Sequence, residues 1–146
     1  MKESSMNAND NLKLIRARYQ AVNAHDFERF QSFYGDSIVW YDPGLRRPIK
    51  GPRAVGQRLR TLTTAVPDLK WKLDKLFGQG QHVCAQFTFT GTQKGDLTNS
   101  RGEIIAASGK TIRIQAVGVY TISRGKIVDS RIYMDLSSLL ALGRPG

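Results

Sequence analysis

The sequence predicts an α+β fold in which three N-terminal helices pack on one face of a curved, mostly antiparallel sheet. Apolar residues recur at helical spacing only before Pro67, whereas alternating apolar and polar residues dominate the rest of the chain. Helices gathered first and strands gathered later are typical of this class. The length of 146 residues suits one domain. Helices that cover one face of a curved sheet leave a cone-shaped space, which is a ligand pocket if side chains do not fill it.

Three helices are predicted before the main run of strands. The first spans 11–23 with Asp10 as its N-cap, because apolar residues recur there at intervals of three, four and three: Leu12, Ile15, Tyr19 and Val22. Asp26 caps a short second helix, and Gly35–Asp36 ends it. Gly51–Pro52 opens the third helix, with proline at the first helical position. Its buried stripe comprises Val55, Leu59, Leu62 and Val66.

One strand lies between the helices and four follow them. Residues 37–41 are β-branched and aromatic, and Asp42-Pro43-Gly44 ends this strand with turn residues. Alternation then predicts strands over 69–74, 82–90, 111–122 and 127–134, the last two joined by a hairpin turn at 123–126. The segment 91–109 is predicted to be a long polar loop, and a final helical turn is expected around Leu136, Leu139 and Leu140.

The polar segment 1–10 has no apolar stretch of a secretory signal, so we expect a flexible N-terminus followed by a single domain over 11–143. No apolar run approaches the ~18 residues that a membrane span needs, and the sequence therefore predicts a cytoplasmic protein. Two histidines and one cysteine show no metal-ligand spacing, and no nucleotide-binding motif is visible. Neither a metal nor a cofactor is expected.

The net charge of +10 comes from 22 basic and 12 acidic residues. Between Pro43 and Pro67 there is no acid, but there are six bases: Arg46, Arg47, Lys50, Arg53, Arg58 and Arg60. The segment Arg46–Arg60 is either a solvated surface or a docking site for an acidic protein partner. Nucleic acid is not the expected partner, because no aromatic residues interleave with these bases and no recognition motif is visible.

Several short strings carry a family resemblance through their order and spacing. They are 39–44 (VWYDPG), 51–55 (GPRAV), 66–69 (VPDL), 90–95 (TGTQKG) and 125–129 (GKIVD), followed by Asp135 and 142–143 (LG). Over residues 12–143 the chain resembles the SnoaL-like polyketide cyclase family of the nuclear-transport-factor-2-like superfamily. The resemblance implies a cone-shaped α+β barrel, a homodimer or higher homo-oligomer, and chemistry without a cofactor.

The resemblance also implies where proton transfer takes place in that family, and this chain departs from the pattern there. In the cyclases an acid near the end of the last strand transfers protons during ring closure of a polyketide. Relatives hydrolyse or cyclise epoxides, isomerise or hydroxylate. When the last hairpin is aligned, the position of the acid holds Ile132, and the position of a histidine on the preceding strand holds Gly118. Neither residue can exchange a proton.

Two other carboxylates are therefore the candidate catalytic residues. Asp42 follows Trp40 and Tyr41 at a strand end, where aromatic walls would raise the pKa of a carboxyl and suit it to acid–base work. Asp135 closes the last strand and could reach back into the cone. Each has a structural alternative, because aspartate also forms turns and caps helices. His25 is either a base at the pocket edge or a surface residue between two helices.

The candidate substrate-binding residues share positions on strands or helices expected to face the cone. They are Tyr34, Trp40, Tyr41, Phe87, Gln115, Gly118, Ile132, Tyr133 and Met134. Three hypotheses follow. The protein is a cofactor-independent cyclase, isomerase or hydrolase that acts on a small hydrophobic carbonyl or epoxide compound, polyketide- or terpenoid-like, by acid–base catalysis. Alternatively, it is a non-catalytic small-molecule binding protein, or an interaction module of the same fold.

Overall fold

The computed structural model describes residues 7–135 and Ser137. Three helices are present in this part of the chain: α1 (Ala8–Asn23), α2 (Phe27–Ser32) and α3 (Pro52–Ala65). None of these three is long and apolar enough to cross a membrane. The helical turn predicted after Asp135 lies almost entirely outside the described residues, as do residues 1–6 of the predicted flexible N-terminus.

Helix α1 begins three residues earlier than predicted. Asn7 is the N-cap, and its side chain accepts a hydrogen bond from the backbone N–H of Asp10 at 2.9 Å. Asp10 is the third helical residue and accepts in return from the backbone N–H of Asn7. The predicted N-cap at Asp10 is therefore wrong. The reciprocal capping box satisfies the backbone N–H groups of Asn7 and Asp10, so the helix starts directly after Asn7.

The sheet begins at Tyr34, earlier than the sequence predicts. Asp26 caps α2 as expected, accepting from the backbone N–H of Arg29 at 3.1 Å. The expected stop at Gly35–Asp36 instead lies inside strand β1 (Tyr34–Tyr41). Strand pairing overrides the local turn signal there: Tyr34 is opposite Ile127, whose backbone N–H donates to Phe33 O at 2.9 Å.

Six strands form one curved sheet in the order β2-β1-β8-β7-β4-β3. Besides β1, they are β2 (Ile49–Lys50), β3 (Lys70–Gln79), β4 (His82–Thr92), β7 (Thr111–Ser123) and β8 (Lys126–Met134). Only the β1–β8 pair is parallel. The segment 91–109 is not a plain loop: β5 (Leu97–Thr98) and β6 (Ile104–Ile105) pair within it as a small hairpin.

The helices cover the concave face of this sheet. Alternation holds as predicted on β4, where Val83, Ala85, Phe87 and Phe89 are buried. On β7 the even-numbered residues from Ile112 to Ile122 face inward, and the neighbouring odd-numbered residues are more exposed. The predicted α+β class, with three helices on a curved and mostly antiparallel sheet, is confirmed.

Candidate functional site

An apolar cavity opens between α3, the ends of the central strands and the β5–β6 hairpin. The space between its wall atoms is about 520 Å³ when the open solvent at its mouth is included. The centre of a water-sized sphere can occupy about 40 Å³ of it, which is room for a few water molecules. Its walls are mainly aromatic and aliphatic: Trp40, Leu62, Trp71, Phe89, Leu97, Ile112, Ile114, Ile132 and Met134. The polar lining residues are Asp42, Arg58 and Thr98, with Gly44 beside them.

Asp42 and Arg58 form a buried ion pair in the cavity wall. Arg58 Nε donates to Oδ2 of Asp42 at 2.9 Å, and Arg58 Nη2 donates to Oδ1 at 2.8 Å. Two further donors reach the carboxylate: Trp40 Nε1 at 2.7 Å and the backbone N–H of Gly44 at 2.7 Å. The two side chains are only 6% and 11% exposed. Asp42 thus accepts four hydrogen bonds, two on each oxygen.

Local chain geometry explains why Asp42 and Arg58 meet. Asp42 is the first residue after β1, and a turn closes behind it through the backbone N–H of Leu45, which donates to Asp42 O at 3.1 Å. Arg58 lies on α3 three residues after Val55 and four before Leu62, so it shares the buried face of the helix. Among the described residues, no hydrogen bond engages Nη1 of Arg58, which leaves one cationic donor available to a ligand.

Of the six bases in the segment Arg46–Arg60, five are exposed and Arg58 is largely buried. Arg46, Arg47, Lys50, Arg53 and Arg60 are exposed. Arg60 stacks over the ring of Phe27, with its Cζ 4.5 Å from the centroid. Arg58 is not part of a solvated or partner-facing surface, because its bidentate bond to Asp42 turns it inward. An acidic partner for the remaining exposed bases stays a prediction.

The structure does not bring Asp135 to the cavity. Asp135 is exposed after the end of β8. Its Oδ1 accepts from the backbone N–H of Ser137 at 3.0 Å and from the Ser137 hydroxyl at 2.6 Å. This is the geometry of a capping aspartate. These contacts agree with the structural alternative for Asp135, in which the residue caps a helical turn.

Three of the nine predicted substrate-binding residues line the cavity: Trp40, Ile132 and Met134. Gln115 and Tyr133 point away from it, because their odd-numbered positions place them on the exposed face of β7 and β8. Tyr41 lines a neighbouring recess with Arg46 and Arg47, and Asp42 lines both this recess and the cavity. The other three, Tyr34, Phe87 and Gly118, are buried in the core.

The side chain of Tyr120 occupies the space beside Gly118. Its partner across the strands is Ile132, as the alignment of the last hairpin requires. A Cβ atom on Gly118 would lie 2.6 Å from Cζ of Tyr120 and would overlap its hydroxyl. The phenol therefore occupies the volume next to Gly118, and its hydroxyl is 2.6 Å from that of Tyr19. The hydroxyl pair lies beside Gly118, where the family resemblance implies a histidine, and no local sequence pattern indicates this pair.

The hydroxyl pair adjoins a buried guanidinium. Arg18 on α1 is fully buried, and its Nε donates to the hydroxyl of Tyr34 at 2.9 Å. Its Cζ atom lies 4.7–5.5 Å from five ring centroids, those of Tyr19, Phe30, Trp40, Trp71 and Tyr120. Cation–π contacts of this kind offset part of the cost of removing the charge from water.

His25 has a structural position. Its backbone φ is 54°, a left-handed value at the junction of α1 and α2. Its Nε2 lies 3.0 Å from Leu69 O. His25 is not among the residues that line the cavity. It lies between the two helices, as the structural alternative predicted, but it is half-buried and bonds to the residue before β3.

We expect Tyr19→Phe to destabilise the protein by about 1–3 kcal/mol, because it leaves the buried hydroxyl of Tyr120 without its partner. Urea unfolding followed by circular dichroism would measure the change. Tyr133→Phe removes a hydroxyl from a side chain that is 56% exposed and should stay within about 0.5 kcal/mol of the native protein. Equal effects of the two substitutions would contradict the buried hydroxyl pair.

Three helices on a curved sheet around an apolar cavity define a domain of the NTF2-like class, and the described part of this chain has that architecture. The chain belongs to the SnoaL-like polyketide cyclase family, whose model matches residues 13–141.

Solved structures confirm the fold. A SnoaL-like protein from Jannaschia sp. CCS1 is 16% identical, with a TM-score of 0.80 over 95% of each chain. TsrD from Streptomyces laurentii is 23% identical, with a TM-score of 0.79 over 94% of this chain and 98% of TsrD. An LEH-like epoxide hydrolase from M. tuberculosis is 19% identical, with a TM-score of 0.71 over 92% of this chain and 90% of the hydrolase. A comparison with curated protein sequences finds no match.

Proposed function

We propose that the protein is a cofactor-independent enzyme that acts on a small, largely apolar carbonyl or epoxide compound by acid–base chemistry, with Asp42 and Arg58 as the reacting pair. The observation that carries the proposal is the position of this pair: one carboxylate and one guanidinium lie in the wall of a cavity that is otherwise almost entirely apolar. Apolar walls with a few convergent polar groups are typical of small-molecule sites.

The pair can transfer a proton and stabilise the negative charge that develops on the substrate. With a carbonyl substrate, Asp42 takes a proton from the α-carbon, and the electron pair of that C–H bond passes to the carbonyl oxygen as an enolate. Negative charge thereby leaves Asp42 and develops on the substrate. Arg58 is adjacent to the carboxylate and has Nη1 available, so its guanidinium can donate to the new oxyanion.

With an epoxide the same pair would work on water. Asp42 would accept a proton from a water molecule as that water attacks a ring carbon and the C–O bond breaks. Arg58 would donate a hydrogen bond to the departing oxygen, which then takes the proton from Asp42 to give the diol. The similarity in fold to an epoxide hydrolase supports this second substrate type. Both reactions use one carboxylate as the proton acceptor and one cation for the oxygen that becomes charged.

A binding protein without catalysis is the second candidate, and one observation favours it. All four hydrogen bonds to Asp42 come from the protein, so the carboxylate is already fully engaged before a ligand enters. Ile132 also provides no acid where the family resemblance implies one. Under this hypothesis, Asp42 only orients Arg58, and Arg58 holds a polar group of the ligand.

Hydrogen–deuterium exchange of 2-tetralone in D₂O separates these candidates. This apolar bicyclic ketone has acidic α-protons, and mass spectrometry follows their replacement without any knowledge of the natural substrate. We expect the wild-type protein to accelerate exchange and Asp42→Asn to lower the catalysed rate by at least about 100-fold. Asp129→Asn removes a half-buried carboxylate that is paired with Arg131 and does not line the cavity, and it is the matched control.

Each result of this experiment assigns one candidate. Exchange that depends on Asp42 but not on Asp129 supports the enzyme. Saturable binding of the ketone without faster exchange would exclude acid–base action on this carbonyl and favour the binding protein. Catalysed exchange that survives in a folded Asp42→Asn variant would show that another group carries the proton. The fold of each variant is checked by circular dichroism at the assay temperature.

A further inference from the structure

Arg18 is a buried cation for which the described part of the chain provides no carboxylate. The ion pairs found there are Arg58–Asp42, Lys72–Asp74 and Arg131–Asp129, and Arg18 belongs to none of them. Its side chain is 0% exposed. Buried charges are ordinarily paired, because an isolated ion inside a protein loses its hydration without compensation.

Two of the three nitrogens of this guanidinium have no hydrogen-bond acceptor. Nε bonds to Tyr34, but Nη1 and Nη2 are buried and have no hydrogen-bond partner. A third unpartnered donor, the indole Nε1 of Trp71, belongs to the same cluster, because Arg18 Cζ is 5.2 Å from the centre of the Trp71 ring. Three N–H-bearing nitrogens thus lack acceptors in one small region, which favours a neighbour that is negative or rich in lone pairs.

The tyrosines of the cluster do not supply the missing charge. Burial raises the pKa of Tyr19 to about 12, even though Arg18 is adjacent. Burial likewise raises the pKa of Tyr34 and of Tyr120 above the ordinary value for tyrosine. All three phenols are therefore neutral at physiological pH, and the positive charge of Arg18 is not cancelled by a tyrosinate.

The guanidinium of Arg18 contacts two aromatic rings that also line the cavity. Trp40 and Trp71 both line the cavity, and Arg18 Cζ is 5.5 Å and 5.2 Å from their ring centres. The charges of Asp42 and Arg58, the ion pair in the cavity wall, cancel each other. Arg18 therefore places an uncancelled positive charge beside the Trp40 and Trp71 rings of the cavity wall.

We infer that the cavity selects an anionic ligand: an apolar body that carries one ionised oxygen as a carboxylate, phenolate or enolate, with Arg18 as the residue that determines this preference. The inference rests on the proposed function, in that it requires the cavity to be the ligand site. It also fits the proposed chemistry, because the same potential favours the enolate over the neutral ketone. Arg18 acts through the field and not by taking a proton.

Binding of 2-naphthoate and 2-naphthamide, which share one carbon skeleton and differ in charge, tests this preference. By isothermal titration calorimetry we expect the wild-type protein to bind the carboxylate at least about tenfold more tightly than the amide. Arg18→Met should reduce this ratio to near one. Arg47→Met is the matched control, because it removes the same charge from an exposed side chain and should keep the ratio.

A second measurement needs only the wild-type protein and holds even if Arg18→Met fails to fold. The cation 2-naphthylmethylammonium has the same carbon skeleton as the naphthoate and carries the opposite charge. A purely apolar cavity disfavours both ions relative to the neutral amide, whereas a nearby unpaired cation favours the anion and disfavours the ammonium ion. We expect the affinity of the wild-type protein to rise in the order ammonium ion, amide, carboxylate. An ammonium ion that binds as tightly as the carboxylate would overturn the inference.

The outcomes distinguish this inference from the proposed function. Equal affinity for naphthoate and naphthamide in the wild-type protein, or a preference that persists unchanged in Arg18→Met, would overturn the role of Arg18 and leave the cavity as the ligand site. Failure of the naphthoate, the naphthamide and the naphthylmethylammonium ion alike to bind would overturn the proposed function, and the inference with it. A preference lost in Arg18→Met and kept in Arg47→Met supports the inference.

Discussion

Asp42→Asn should lower the free energy of unfolding by about 3–5 kcal/mol, the usual cost of breaking a buried ion pair by removing one partner. The substitution keeps the shape of the side chain but leaves the guanidinium of Arg58 without a counterion at a site where it is 11% exposed. It also replaces one acceptor oxygen by an NH₂ group that faces donors. Urea denaturation monitored by circular dichroism measures the loss.

Two control variants identify the cause of this effect. Asp129→Asn breaks the exposed pair with Arg131 and should cost no more than about 1 kcal/mol, because exposed ion pairs contribute little. The double variant Asp42→Asn/Arg58→Met should be less destabilised than the sum of its single variants, since it removes the stranded charge as well. A loss below about 1 kcal/mol in Asp42→Asn would contradict the buried pair.

Gly118→Ala should destabilise the protein by about 1–3 kcal/mol, although alanine is ordinarily a mild replacement for glycine in a strand. The new methyl group would overlap the ring and hydroxyl of Tyr120, which is fully buried and packs against Tyr19 and Arg18. The tyrosine cannot move outward without breaking its hydroxyl pair. Thermal and urea unfolding of the purified variant would measure the loss.

The double variant Gly118→Ala/Tyr120→Leu tests the steric cause. Leucine lacks the distal ring atoms and the hydroxyl that the methyl group would meet. The double variant should therefore have a higher free energy of unfolding than the sum of the two single effects predicts. Strict additivity would show that the alanine acts through another contact.

The sequence predicted the fold well because its signals are local and mutually consistent. The inward residues of β4 and β7 follow strict alternation, and the stripe of α3 follows helical spacing. Boundaries failed where a distant partner decided them. Gly35–Asp36 has the composition of a turn, but pairing with β8 extends β1 through it. The β5–β6 hairpin is only two residues long on each side and shows no periodicity.

The candidate site was predicted only in part, because the sequence shows residue types but not their partners. Asp42 bonds to Trp40 and Ile132 lines the cavity, both near where the sequence suggests, whereas the sequence pattern groups Arg58 with an exposed basic segment. The sequence contains a pattern that indicates burial of both Arg18 and Arg58. Arg18 lies three residues after Ile15 and four before Val22, and Arg58 lies likewise between Val55 and Leu62. A cation at a stripe position indicates an inward-facing charge.

The indole N–H resonances of the protein provide the most direct test of the central claim, that the cavity bounded by Trp40 and Trp71 is the ligand site. These two are the only tryptophans of the chain, and both line the cavity. In a ¹⁵N–¹H NMR titration with 2-tetralone, both indole signals should shift in a saturable manner. In Ile114→Phe, whose larger side chain fills part of the cavity, the apparent affinity should fall. Saturable binding of the ketone with both indole signals unmoved would contradict the claim.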